Sequence, residues 1–95
     1  MTVIELALFK LKPDVTVEQF QEALHGSSRW RAGQPGFVRR RHGTGEEGRM
    51  DLVEWESMAA ANAAAERFPS APETQTFMAA IDPGSVVMRH FELMP

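Results

Sequence analysis

Few residues of this chain can do chemistry: Glu5 inside an otherwise apolar run, the histidines His25, His42 and His90, and a basic cluster from Arg39 to His42. There is no Cys and no Tyr, which removes thiolate and phenolate chemistry and any disulfide. In "VIELALFKLKP", Val3 to Pro13, side chains alternate between two faces and both lanes are apolar apart from Glu5. A carboxylate in such a strand is either a paired structural group, bonded for instance to an Arg, or part of a site. In a site it would orient a neighbouring imidazole and raise its basicity, which makes a general base. Glu5 and His90 are the candidate catalytic pair.

In "RRRHG", alternation sends Arg39 and Arg41 to one face and Arg40 and His42 to the other. Only one pair can enter a cavity. Arg40 and His42 are the candidates, the planar guanidinium suiting a carboxylate or an enolate oxygen. The same charges equally suit an edge strand that discourages aggregation. Phe9 and Met88 complete the candidate ligand-binding set, Met88 as a soft wall. The three histidines lack the spacing of a metal site, and none is assigned. "GTGEEG" is acidic where a phosphate would need donors. No cofactor is called for.

These residues need elements to position them. Thr16 can cap a helix, with Gln19 reaching back in a capping box. Its apolar stripe runs Val17, Phe20, Ala23, Leu24 and Trp30, loosened at Gly26-Ser27-Ser28, and Gly33-Gln34-Pro35-Gly36 stops it. Phe37 to Thr44 and Arg49 to Glu56 read as antiparallel strands joined by Gly45-Glu46-Glu47-Gly48. Ser57 caps a second helix that ends at Pro69. Ser70-Ala71-Pro72-Glu73 restarts a short one carrying Phe77, Met78 and Ile81. After the turn at Asp82-Pro83-Gly84 the last strand is Ser85 to Leu93, with Val86, Met88 and His90 in one lane.

The order is β-α-β-β-α-β, an α+β ferredoxin-like fold whose helices cover one face of a four-stranded antiparallel sheet in the order 4-1-3-2. Strand one then lies beside strand four, and Glu5 falls near His90. The Ile4, Leu6, Leu8 lane is expected to face the helices. The lane of Glu5 and Phe9 is expected to face a cavity in a dimer, so Phe9 would lie at the interface. Trp55 and Trp30 read as core.

The 95 residues make one domain, 1–95, and so short a chain buries a modest core that a second copy would supplement. The net charge of −3 removes the general attraction to phosphate, so no nucleic-acid partner is expected. Glu5, Lys10 and Lys12 interrupt the apolar opening, so neither a signal peptide nor a membrane span is expected, and a cytoplasmic protein is.

"ELALFKLKPDVTVEQFQEAL" resembles the opening of the stress-responsive dimeric α/β-barrel proteins. "QPGF" and "VEWESMAAANAA" resemble the antibiotic-biosynthesis-monooxygenase-like family of the same superfamily. The resemblance covers nearly the whole chain and implies a homodimer, a dimeric α/β barrel, with a cavity in each subunit. Relatives place aromatic polyketides, quinols, haem or small lactones there. Their catalytic Asn, Tyr and His positions do not carry over: Glu5 stands about where the stress-responsive group has a strand-one His, and Asn62 matches a monooxygenase Asn only loosely. The expected function is binding of an apolar or aromatic small molecule by a cofactor-free monooxygenase-like or isomerase-like enzyme. The alternative is a non-catalytic ligand-binding or stability module.

Overall fold

The computed structural model of the chain describes residues 2–95. Helix α1, Val17–Ala32, starts at the capping box read from the sequence: the Thr16 hydroxyl accepts from the Gln19 N–H, and the Gln19 side chain accepts from the Thr16 N–H. It runs unbroken through Gly26-Ser27-Ser28. Strands β1, Val3–Phe9, β2, Phe37–Gly45, β3, Gly48–Trp55, and β4, Val87–Glu92, form one antiparallel sheet in the order β2-β3-β1-β4. Ser57 caps α2, Met58–Arg67, by accepting from the Ala60 N–H. Two 3₁₀ turns, Phe68–Ser70 and Pro72–Thr74, lead into the short α3, Gln75–Ala80. The ferredoxin-like topology is the one expected.

The lanes of β1 are the reverse of those expected. Val3, Glu5, Ala7 and Phe9 are buried under the helices, whereas Ile4, Leu6 and Leu8 lie on the other, uncovered face. Both lanes are apolar enough to be core, so hydrophobicity alone did not decide between them. Phe9 consequently belongs to the core, meeting Phe20 and Phe77 at ring-centroid distances of 6.1 and 5.9 Å, and not to an interface. Val3, Val53, Trp55, Ala61 and Ala64 form the second half of the core. The uncovered face continues from β1 onto Leu52, Val87 and Phe91, which the register places beside Ile4, Leu6 and Leu8. There Arg39 donates to Glu54, and this bond holds the Glu54 carboxyl below its usual range.

His42 lies on the inner face, between Phe9 at 6.0 Å and Phe20 at 5.4 Å. Burial pushes its pKa below the ordinary 6.5, against the pull of Asp51 and with the push of Arg40 and Arg49. The unfolded chain therefore binds this proton more readily, and stability falls as pH drops below about 6.5 until the folded group also titrates. His42→Phe, which fills the same aromatic slot, should flatten the change in denaturation midpoint between about pH 7.5 and 5.5. An unchanged slope would show that His42 does not supply it.

Gly36, in the "QPGF" turn, has φ +84°, and a Cβ there would sit 2.5 Å from that of Ala60. The backbone must pass this close because the Gly36 carbonyl accepts from the Glu56 N–H at 2.8 Å, locking the entry of β2 to the exit of β3. Gly36→Ala meets both a left-handed penalty and a clash, a loss of roughly 2–4 kcal/mol in denaturant unfolding.

Candidate functional site

Between the inner face of the sheet and the helices lies a cavity of about 340 Å³. Small side chains border it from both layers, Ala7 on β1 and Ala64 and Ala65 on the alanine-rich α2. Aromatic rings of Phe9, Trp30, Trp55, Phe68 and Phe77 supply much of the wall. Met78, Val86 and Met88, which line it and are also exposed, mark its mouth.

The floor is polar. Glu5, Arg31 and Asp51 line the cavity, and all three are buried. Asp51 reaches the inner face two residues from Val53 and four from Trp55 on β3, pairing in register with Ala7 and His42. Arg31 is the last member of the buried stripe Phe20, Ala23, Ser27, Arg31, at spacings of three and four that keep one face of α1 against the sheet. It also sits in the last turn, where a cation is favoured by the helix dipole.

Arg40 makes a forked pair with Asp51, Nε to Oδ1 at 2.7 Å and Nη2 to Oδ2 at 2.6 Å. Its Nη1 donates to Ser27 Oγ at 2.7 Å and Ser28 Oγ at 2.9 Å, fastening β2 to α1. Arg31 is held far more loosely. Its Nη1 lies 3.4 Å from Glu5 Oε1 and 3.7 Å from Asp51 Oδ2, and its plane covers the Phe68 ring at 4.7 Å. Burial lowers the Arg31 pKa, as does Arg40, while Asp51 and Glu5 oppose this. Glu5 Oε2 lies 2.9 Å from Nε2 of His90, whose side chain is about one quarter exposed.

Glu5, Phe9 and Met88 thus line the cavity. His90 stands next to Glu5 on the neighbouring strand and reaches it by hydrogen bond, outside the lining. Arg40 lies beneath the floor, bonded to Asp51, and His42 sits in the Phe9–Phe20 cluster beyond the cavity. Arg31, Asp51 and Trp55 are among the lining groups absent from the sequence-derived set. Arg31 and Asp51 are polar residues at core-face positions, and that period was the available signal. Trp55, read as core, is both buried and part of the wall. Asn62 is exposed on α2. Among the described residues no group of three or more His, Asp or Glu is placed to hold a metal ion. Nor is any described helix long and apolar enough to cross a membrane.

By sequence, the chain matches no family model and no curated protein. Solved structures do match. SnoaB, a cofactor-independent oxygenase from Streptomyces nogalater, superposes with a TM-score of 0.80 at 16% identity, over 99% of this chain and 94% of that one. A dimeric ferredoxin-like protein of unknown function from Jannaschia sp. CCS1 gives 0.72 at 14% identity, over 98% and 100%. The hydroxynitrile lyase of Passiflora edulis gives 0.70 at 14%, over 99% and 97%. At these identities the likeness is one of fold. The chain has a ferredoxin-like fold.

Proposed function

We propose that the chain is one subunit of a homodimer that binds an apolar or aromatic small molecule in the sheet–helix cavity. Glu5 would there accept a proton from the ligand, in the manner of a cofactor-free monooxygenase-like or isomerase-like enzyme. The observation that carries this reading is a buried carboxylate lining a mostly apolar cavity of about 340 Å³. Each Glu5 oxygen has one partner, Arg31 or His90, and a carboxylate has about four lone-pair sites, so acceptor capacity is left for a ligand proton. His90, partly exposed, gives that proton a route to water. The likeness to a cofactor-independent oxygenase supports the reading by showing that this fold hosts such chemistry.

The same two bonds favour a second reading, in which Glu5 is a paired structural group and the cavity binds without catalysis. Deuterium exchange at the α-carbons of 2-tetralone, followed by NMR in D₂O, separates the two. The proton-transfer reading expects exchange above buffer that Glu5→Gln lowers by about 100-fold or more while binding persists. No exchange with wild-type protein, together with lower thermal stability in Glu5→Gln, assigns Glu5 to structure.

The homodimer follows from the uncovered face, where Ile4, Leu6, Leu8, Leu52, Val87 and Phe91 form an apolar surface that a second sheet would bury. The protein should sediment as a dimer at micromolar concentration. Leu6→Asp, on the central strand β1, should dissociate it, because a buried unpaired charge costs several kcal/mol. A folded wild-type monomer under those conditions would contradict the assembly.

A further inference from the structure

The residues around the cavity reverse the usual distribution of polarity. Its three charged lining residues, Glu5, Arg31 and Asp51, are all buried. Every lining residue that is exposed is apolar: Ala65 on α2, Pro69 just after it, Met78 on α3, Pro83 in the following turn, and Val86 and Met88 around the start of β4. Met78 is 40% exposed, and Val86 and Met88 are each 43% exposed. Buried charge and clustered exposed apolar side chains are the two departures from an ordinary protein surface that carry information, and one cavity has both. The rim is separate from the uncovered sheet face, because Met88 shares the inner face with its register partner Ala7, opposite to Leu6 and Leu8.

We infer that the rim is a second ligand subsite and that the ligand is an amphiphile, seated polar end first, whose apolar tail leaves the cavity across Met78, Val86 and Met88. This rests on the small-molecule reading of the cavity and adds the class of ligand. The register gives the direction. Glu5 pairs with His90 and Ala7 with Met88, so Met88 is the diagonal neighbour of Glu5 on the inner face, about 7–8 Å away. A phenol whose hydroxyl donates to Glu5 covers that span with its ring, and a para substituent then begins at the mouth. A polar tail finds no partner among the rim side chains, whereas an alkyl tail takes both itself and those side chains out of water. Methionine suits this place, because its unbranched thioether repacks around tails of different length.

The test is a calorimetric titration of the full chain with 4-ethyl-, 4-butyl-, 4-hexyl- and 4-octylphenol, each below its solubility limit. A methylene fully buried from water adds about fourfold in affinity, and an open apolar rim buries about half of each. Wild-type affinity, at one site per chain, should therefore keep rising by about twofold per methylene through octyl. Met88→Asp and Met78→Asp, both at exposed positions, should each lower the octyl-to-ethyl affinity ratio by about tenfold. A wild-type affinity that stops rising between butyl and octyl means a ligand enclosed by the cavity, which overturns the tail subsite and leaves the cavity reading standing. A ratio unchanged in both variants overturns the subsite as well, and a changed sedimentation coefficient in them gives the rim to a second copy instead. Failure of all four phenols to bind removes the subsite together with the reading beneath it. The wild-type series needs no variant, so loss of folding in either Asp variant does not obscure the result.

Discussion

The forked ion pair between Arg40 and Asp51 is the bond that ties the sheet to α1 beside the cavity floor. Both side chains are almost fully buried, so their charges have lost water and must satisfy each other. Asp51 spends both oxygens on Arg40, and Arg40 spends its remaining reach on Ser27 and Ser28. One cation thereby ties β2 to β3 and both to the middle of α1, and it fixes where that helix lies over the sheet. Arg31, one turn further along α1, is carried to the cavity floor by the same registration but finds Asp51 already engaged. The result is a well-bonded pair below and an under-bonded guanidinium above, facing Glu5.

The cavity beside this floor is a consequence of volume. Alanines on β1 and α2 leave a gap that the surrounding aromatic rings border without filling. A cluster of interlocked rings, Phe9, Phe20, Phe77 and Phe68, stiffens the end of the domain where α3 closes over the sheet. Opposite, β4 is exposed on both faces, and Met88 on its inner lane, with Val86 just before the strand, forms part of the mouth. The two sides of the sheet therefore differ, one bordering a cavity and the other carrying an uncovered apolar surface.

Much of the fold is legible in the sequence because its signals are local. The Thr16–Gln19 capping box, the glycine turn at Gly36, the cap at Ser57 and the period-two strands each act within a few residues, and together they fix the element order. The antiparallel register that brings Glu5 to His90 follows from that order. The side of the sheet on which the cavity lies is not local information. Val3, Ala7 and Phe9 are about as apolar as Ile4, Leu6 and Leu8, and the inward lane carries Glu5 to Arg31 on α1, a partner distant in sequence. Arg31 and Asp51 were harder still. A charged residue on a core stripe reads as an interruption of that stripe unless its partner, distant in sequence, is known.

The central claim is that the buried charges compensate one another in pairs and hold the cavity floor. A double-mutant cycle over Arg40→Met and Asp51→Leu, measured by denaturant unfolding, tests it most directly. Each single change strands a buried charge and should cost about 3–5 kcal/mol, while the double variant, with apolar groups in both places, should recover most of that loss. Losses that simply add, leaving the double variant the least stable of the three, would contradict the account.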